Sequence, residues 1–180
     1  GDAFAVRVRA RQHESDAEMI LHRDVEQAVD RIDAALGSDL ADEGDIPFTK
    51  ATLHNGIATA PANAPSDVKE IIAAGNEIAK KPYVYGGGHG SWKSSGYDCS
   101  GSVSYALHGA GLLNTQLTSG DLEDWGKAGK GKWVTIYANG GHTFMYVAGL
   151  RFDTSGASPS RWQDEWRSKS GFVVRHPNGL

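Results

Sequence analysis

The chain contains a single cysteine, Cys99, at the point where a stretch of glycine and small polar residues gives way to an apolar run with helical spacing. One thiol can form neither an intrachain disulfide nor a multi-thiolate metal site, so its own reactivity or its packing must account for it. The pattern predicts that the sulfur lies at a helix N-terminus, where unpaired N–H groups and the helix dipole favour the thiolate. We expect a reactive cysteine, and a buried structural cysteine is the alternative.

The composition limits the class of protein. The chain has 180 residues, of which 39% are hydrophobic and 22% charged, as in a soluble globular protein with its own core. Its formal net charge of −4 implies no face-wide basic patch, so no nucleic-acid partner is expected. No apolar run approaches the ~18 residues of a membrane span, and no signal peptide is recognisable in this chain.

Residues 1–63 are predicted to form an N-terminal arm. Within it, a capping-box pattern at residues 15–18 precedes apolar residues at steps of three and four, which indicates an amphipathic helix. Residues 38–65 are interrupted by prolines, so we expect a linker with little regular structure there and a turn at 54–56. The apolar face of the arm helix could pack on the rest of the chain, pair with a second chain or cover the active site; the sequence leaves these roles and the oligomeric state open.

Residues 64–180 are predicted to form the catalytic domain. A helix begins with Ser66 as its N-cap and stops at 80–82, and a second helix runs from Cys99 to Gly109 or Gly111. Segments with strand character follow at 132–137, 142–147, 150–154 and 171–175. Because helices come first and a strand meander follows, we expect an α+β fold.

A cysteine nucleophile needs a base, and a third group that orients the base. His108 lies nine positions beyond Cys99 on the same predicted helix, about 180° around its axis, so its ring points away from the sulfur. His142 opens an apolar strand directly after a glycine turn, which anchors it while leaving its ring accessible. A tight hairpin would bring Asp153 beside it on the next strand. We therefore expect Cys99, His142 and Asp153 to form a triad.

Three segments in series resemble the NlpC/P60 family of cell-wall cysteine peptidases. They are KPYVYGG at 81–87, YDCSG at 97–101 and GHTFMYV at 141–147, and the resemblance covers about residues 66–180. It implies a papain-like α+β fold in which the helix that carries the cysteine packs on an antiparallel sheet.

The resemblance also implies roles for individual residues. Cys99 would be the nucleophile, His142 the base and Asp153 the third residue. The family often has histidine at the third position, and Thr154 is the alternative to Asp153 here. Tyr83 would lie close enough to the sulfur to help hold the substrate or the oxyanion.

The loop 88–95 should lie beside this site. His89 and Trp92 are therefore candidates for substrate contact, and a purely structural loop with a packed tryptophan is the alternative. Asp98 is expected to cap the free N–H groups of the helix, since a carboxylate beside the thiol would oppose its ionisation.

The function implied by the resemblance is cleavage of peptide bonds in bacterial peptidoglycan, between D-glutamate and the diamino acid of the stem peptide. Such an enzyme would be secreted or associated with the cell wall, and it would need no cofactor and no metal. Two alternatives remain open: a wall-binding module with a weak or inactive triad, and a cysteine–histidine amidase or acyltransferase on a non-wall substrate.

Overall fold

The computed structural model describes residues 49–156 and 159–180. The predicted helix of the N-terminal arm lies outside the described residues. The compact unit that carries Cys99 spans Phe48–Leu180, and the domain boundary expected at residue 64 stays a prediction.

Within the described residues, the first regular structure is a short hairpin. Strands β1 (Thr52–His54) and β2 (Ile57–Thr59) pair antiparallel around Asn55 and Gly56, which both have positive φ. The predicted turn is confirmed, but the expectation of little regular structure is wrong for these residues. The hairpin is held by tertiary contacts: the Asn76 side chain accepts from the Ala58 N–H (3.0 Å) and donates to the Ala58 carbonyl (2.9 Å).

Helix α1 (Ser66–Ile78) forms one wall of the core. Its apolar face is buried, as the spacing predicts, through Val68, Ile71, Ile72, Gly75 and Ile78. The predicted cap is wrong by one position, because Pro65 is the N-cap and the Ser66 hydroxyl donates to the Asp67 carboxylate instead (3.3 Å).

Helix α2 (Cys99–Gly109) packs against α1 and starts and ends within the predicted limits. Asp98 is its N-cap, as expected, and accepts from the Gly101 N–H at 2.7 Å. A glycine is required at position 101, because a Cβ there would lie 2.1 Å from the carbonyl oxygen of Gly87. Residues 86–88, which we call the glycine loop, therefore contact the start of α2 backbone to backbone.

The sheet that follows is antiparallel throughout and has the strand order β3-β8-β4-β5-β6-β7. Its strands are β3 (Lys127–Ala128), β4 (Val134–Asn139), β5 (His142–Val147), β6 (Leu150–Phe152), β7 (Trp162–Gln163) and β8 (Val173–His176). A short 3-10 turn, Asp121–Glu123, precedes it. The α+β prediction is confirmed, and β5 has the predicted bounds.

The two faces of the sheet have different neighbours. Side chains alternate along β4 and β5, so Ile136 and Met145 are buried on one face while Tyr137 and Phe144 lie on the other. Residues 164–170, which we call the strap, run over that second face. The strap places the Lys169 ammonium 4.6 Å from the Tyr146 ring centre and the Arg167 guanidinium 4.8 Å from that of Phe144.

A buried arginine joins the segments around the cysteine. Arg161 donates to the carbonyls of Ile78 (2.7 Å), Pro82 (3.2 Å) and Tyr97 (3.0 Å), and to the Ser102 hydroxyl (2.9 Å). No carboxylate in the described part of the chain pairs with it. The end of α1, the 82–85 segment and the start of α2 are thus joined by one side chain.

This arrangement predicts a large effect of one substitution on stability. Arg161→Gln would leave several buried carbonyls without donors, so we expect the free energy of unfolding to fall by about 3 kcal/mol. Denaturant unfolding measures it. Lys80→Gln, an exposed cation nearby, is the control and should change little; equal effects of the two substitutions would contradict the role assigned to Arg161.

Candidate active site

The cysteine lies at the first residue of α2, where its sulfur faces the start of β5. The sulfur is half-buried, which raises the pKa of the Cys99 thiol. Hydrogen bonds with the His142 ring and the Thr143 backbone N–H, together with the charge of the ring, oppose burial and bring the pKa below its ordinary value. The nearby Asp98 carboxylate acts in the opposite direction.

The β4–β5 turn holds the histidine in place. The Asn139 side-chain oxygen accepts from the N–H groups of Gly141 (3.0 Å) and His142 (2.9 Å), which closes the turn at the residue where the ring is attached. His142 Nε2 lies 2.9 Å from Asp153 Oδ1. Because Asp153 occupies Nε2, the ring presents its other nitrogen, Nδ1, to Cys99.

The electrostatics of the two groups are coupled. Burial lowers the pKa of His142, but the hydrogen bonds and charges of Asp153 and Cys99 outweigh it and raise that pKa to about 9. The pKa of Cys99 is lowered while that of His142 is raised, so both shifts favour the pair of thiolate and imidazolium. The arrangement can supply a nucleophile and a proton donor side by side.

The Asp153 carboxylate is buried directly after β6. Its Oδ1 accepts from His142 and from the Ser155 N–H (2.8 Å), while its Oδ2 accepts from Arg167 Nη1 (2.8 Å) and lies 3.6 Å from Arg151 Nε. Sequence reasoning missed both arginines. Arg151 precedes Asp153 by two residues and so shares its side of the strand, a signal that could have found it. Arg167 reaches the site from the strap, which no local pattern indicates.

Thr154 was the alternative third residue. The structure places Asp153, and not Thr154, against the His142 ring. Thr154 instead lines a cavity of about 160 Å³ together with Tyr83, Pro82 and Arg161.

Tyr83 lies near the sulfur and is 55% exposed. Partial burial, together with the negative charges of Cys99 and Asp98, raises the pKa of its hydroxyl. The Tyr83 hydroxyl therefore stays protonated and lies close enough to Cys99 for the two groups to interact electrostatically.

His89 and Trp92 are placed differently from each other. His89 Nε2 lies 3.0 Å from Asp98 Oδ1 and 3.1 Å from the Ser100 hydroxyl, so it is beside the start of α2. Trp92 stacks on His108, with ring centres 3.8 Å apart and a 2° angle between the ring planes. Nine residues of helix, about 13.5 Å, separate His108 from Cys99, so the structure does not bring Trp92 to the sulfur. Substrate contact by either residue stays a prediction.

The described ranges contain neither a cluster of metal ligands nor a helix that could span a membrane. No group of three or more histidine, cysteine, aspartate or glutamate side chains there is arranged to hold a metal ion. None of the helices in that part of the chain is both long and apolar enough to span a bilayer.

Comparison with known proteins gives structural relatives. The peptidoglycan hydrolase RipB from Mycobacterium tuberculosis has a TM-score of 0.51 at 27% identity, over 66% of this chain and 68% of RipB. The chain has the NlpC/P60 fold. The predicted papain-like α+β architecture and the resemblance to this family are thereby confirmed. No protein-family model and no curated protein matches the sequence significantly.

Two more distant solved structures are also similar. NlpC1 from Trichomonas vaginalis has a TM-score of 0.44 at 16% identity, over 68% of this chain and 47% of NlpC1. RipA, the resuscitation-promoting-factor interacting protein, has a TM-score of 0.43 at 22% identity, over 71% of each chain.

Because Cys99 is the only cysteine, alkylation of the whole protein reports on one thiol. We expect the rate of reaction with iodoacetamide to rise with pH. Its midpoint should lie below the pKa of an ordinary thiol, which is about 8.5. His142→Gln removes the imidazolium and should move the midpoint upward, whereas His108→Gln should not. A midpoint that is the same in the wild type and in His142→Gln would contradict the coupling.

Proposed function

We propose that this protein is a cysteine peptidase that hydrolyses peptide bonds of peptidoglycan. The observation that carries the proposal is the His142 ring, hydrogen-bonded to the Cys99 sulfur on one side and to the buried Asp153 carboxylate on the other. Similarity to RipB, a peptidoglycan hydrolase, supports the substrate class.

In the first half of the reaction the Cys99 thiolate attacks the scissile carbonyl carbon. Negative charge develops on the carbonyl oxygen, where backbone N–H groups at the start of α2 and the Tyr83 hydroxyl can stabilise it. The His142 imidazolium then gives its proton to the leaving amine, and the C–N bond breaks to leave a thioester on Cys99. Asp153 keeps the ring oriented throughout.

In the second half water replaces the amine. Neutral His142 takes a proton from the water as its oxygen attacks the thioester carbonyl. The C–S bond breaks, the carboxylic acid product leaves, and the thiolate and imidazolium pair is restored. Hydrolysis consumes one water for each peptide bond and needs no cofactor.

The bond that we propose as the target joins D-glutamate to the diamino acid of the stem peptide, as in the NlpC/P60 family. An enzyme with this substrate acts outside the cytoplasm, so we propose that the protein is secreted or associated with the cell wall. His89 lies at the start of α2 and is retained as a candidate substrate contact. Trp92 is the weaker candidate of the two, because it packs on His108.

The pH profile of peptide cleavage should be bell-shaped. Activity rises with pH as the Cys99 thiol, whose pKa is lowered, becomes a thiolate; it falls above about pH 9 as the His142 imidazolium loses its proton. Measurements of kcat/KM between pH 5 and pH 11 test this. A profile with no loss of activity on the alkaline side would contradict the proton-donor role of His142.

The direct test is digestion of purified muropeptides followed by mass spectrometry. The wild-type chain should release fragments cut between D-glutamate and the diamino acid, and Cys99→Ala should release none while keeping the same circular dichroism spectrum. Thr115→Ala, at an exposed position beyond the end of α2, is the control and should cleave like the wild type.

Each other result has a distinct meaning. Cleavage by Cys99→Ala would overturn the proposed nucleophile. Binding to muropeptides without cleavage by the wild-type chain would favour a wall-binding module. Fragments cut at another amide, or acyl transfer to an added amine, would favour an amidase or acyltransferase.

A further inference from the structure

The two oxygens of the Asp153 carboxylate contact different groups. Its Oδ1 meets His142 at 2.9 Å, and its Oδ2 faces two guanidinium groups, Arg167 Nη1 at 2.8 Å and Arg151 Nε at 3.6 Å. Only the shorter of these last two distances is a hydrogen bond. The carboxylate is therefore held at one end by the histidine and at the other by the strap.

Arg151 competes for the same carboxylate. Its Nε is buried and has no hydrogen-bond partner among the described residues, while its Nη2 donates to the Gln163 side-chain oxygen. A buried N–H without a partner is costly, so Arg151 gains free energy if Asp153 turns towards it. Such a turn would draw Oδ1 away from His142.

Arg167 opposes that turn. Its guanidinium lies 4.8 Å from the ring centre of Phe144 and 5.9 Å from that of Phe172, and only 23% of its side chain is exposed. The two rings hold the cation in one place, so its charge-assisted hydrogen bond to Oδ2 has a defined direction.

We propose that Arg167 is a positioning residue, which holds the Asp153 carboxylate with Oδ1 on the His142 ring and away from Arg151. This inference rests on the proposed triad, but it concerns a residue that acts through its contact with Asp153. It gives the strap a function in the reaction: the segment that covers the outer face of the sheet also orients the base.

If Arg167 orients Asp153, its removal changes the pKa of His142 in one direction. If Arg167 acts only through its charge, the change is in the opposite direction. The groups that face Asp153 are His142, Arg151 and Arg167, and Cys99 faces the far side of the ring. If Arg167 acted only as a charge, its loss would remove a positive charge close to the His142 ring, and the pKa of His142 would rise. If it acts by orientation, Asp153 turns to Arg151, the hydrogen bond to His142 is lost and the pKa falls.

The test is an NMR titration of the full chain labelled in its histidine rings, with the His142 signal assigned by its absence from His142→Gln. In the wild type we expect a midpoint near pH 9. In Arg167→Ala we expect a fall of about one unit or more, which is a tenfold change in proton affinity. Arg167→Lys, which keeps a cation but loses the planar donor, should recover part of the shift.

Lys169→Ala is the matched control. Lys169 lies on the same strap and also sits over aromatic rings, but it does not contact Asp153. Its removal should leave the His142 midpoint unchanged. Equal falls in both variants would mean that packing of the strap alone is responsible, and a rise or no change in Arg167→Ala would overturn the proposal.

The outcome is independent of peptide cleavage, because the titration needs no substrate. If the wild-type chain cleaves no muropeptide but Arg167→Ala still lowers the His142 midpoint, the positioning role stands and the proposed function fails. If cleavage is observed, Arg167→Ala should lower kcat and leave KM unchanged, since Arg167 lies behind Asp153. A raised KM with an unchanged kcat would contradict the positioning role.

Discussion

The start of helix α2 depends on one carboxylate. Asp98 accepts from the Gly101 N–H at 2.7 Å, from the Gly86 N–H at 3.1 Å and from the His89 ring at 3.0 Å. The same side chain thus caps the helix that carries Cys99 and attaches the glycine loop to it. Because its oxygens are occupied by donors, a negative charge can lie beside the thiol while the neighbouring histidine still favours the thiolate.

The candidate site combines groups of opposite charge along one line. Thiolate, imidazolium, carboxylate and guanidinium follow each other from Cys99 through His142 and Asp153 to Arg167, so each charge has an opposite neighbour. Burial of such groups is costly when they are unpaired and tolerable when each is hydrogen-bonded. The alternation favours the thiolate form of Cys99 in a half-buried position.

The local sequence pattern was sufficient to predict several structural features of this chain. The bounds of β5 and the approach of Asp153 to His142 followed from a glycine turn and a tight hairpin, which leave little freedom in register. The separation of nine residues between Cys99 and His108 on α2 was enough to predict that His108 points away from the sulfur. The β1–β2 hairpin was missed because three-residue strands carry no readable period and are held by Asn76 from another element.

The residues alone specified that the cysteine begins a helix, that the histidine begins a strand and that helices precede strands. Each of these features depends on neighbours within about ten positions. Tertiary structure decided which side chains complete the site. Arg167 reaches Asp153 from a strap without regular structure, and Trp92 stacks on His108. Contacts of this kind depend on how loops cross a finished sheet or helix, and no sequence period encodes that path.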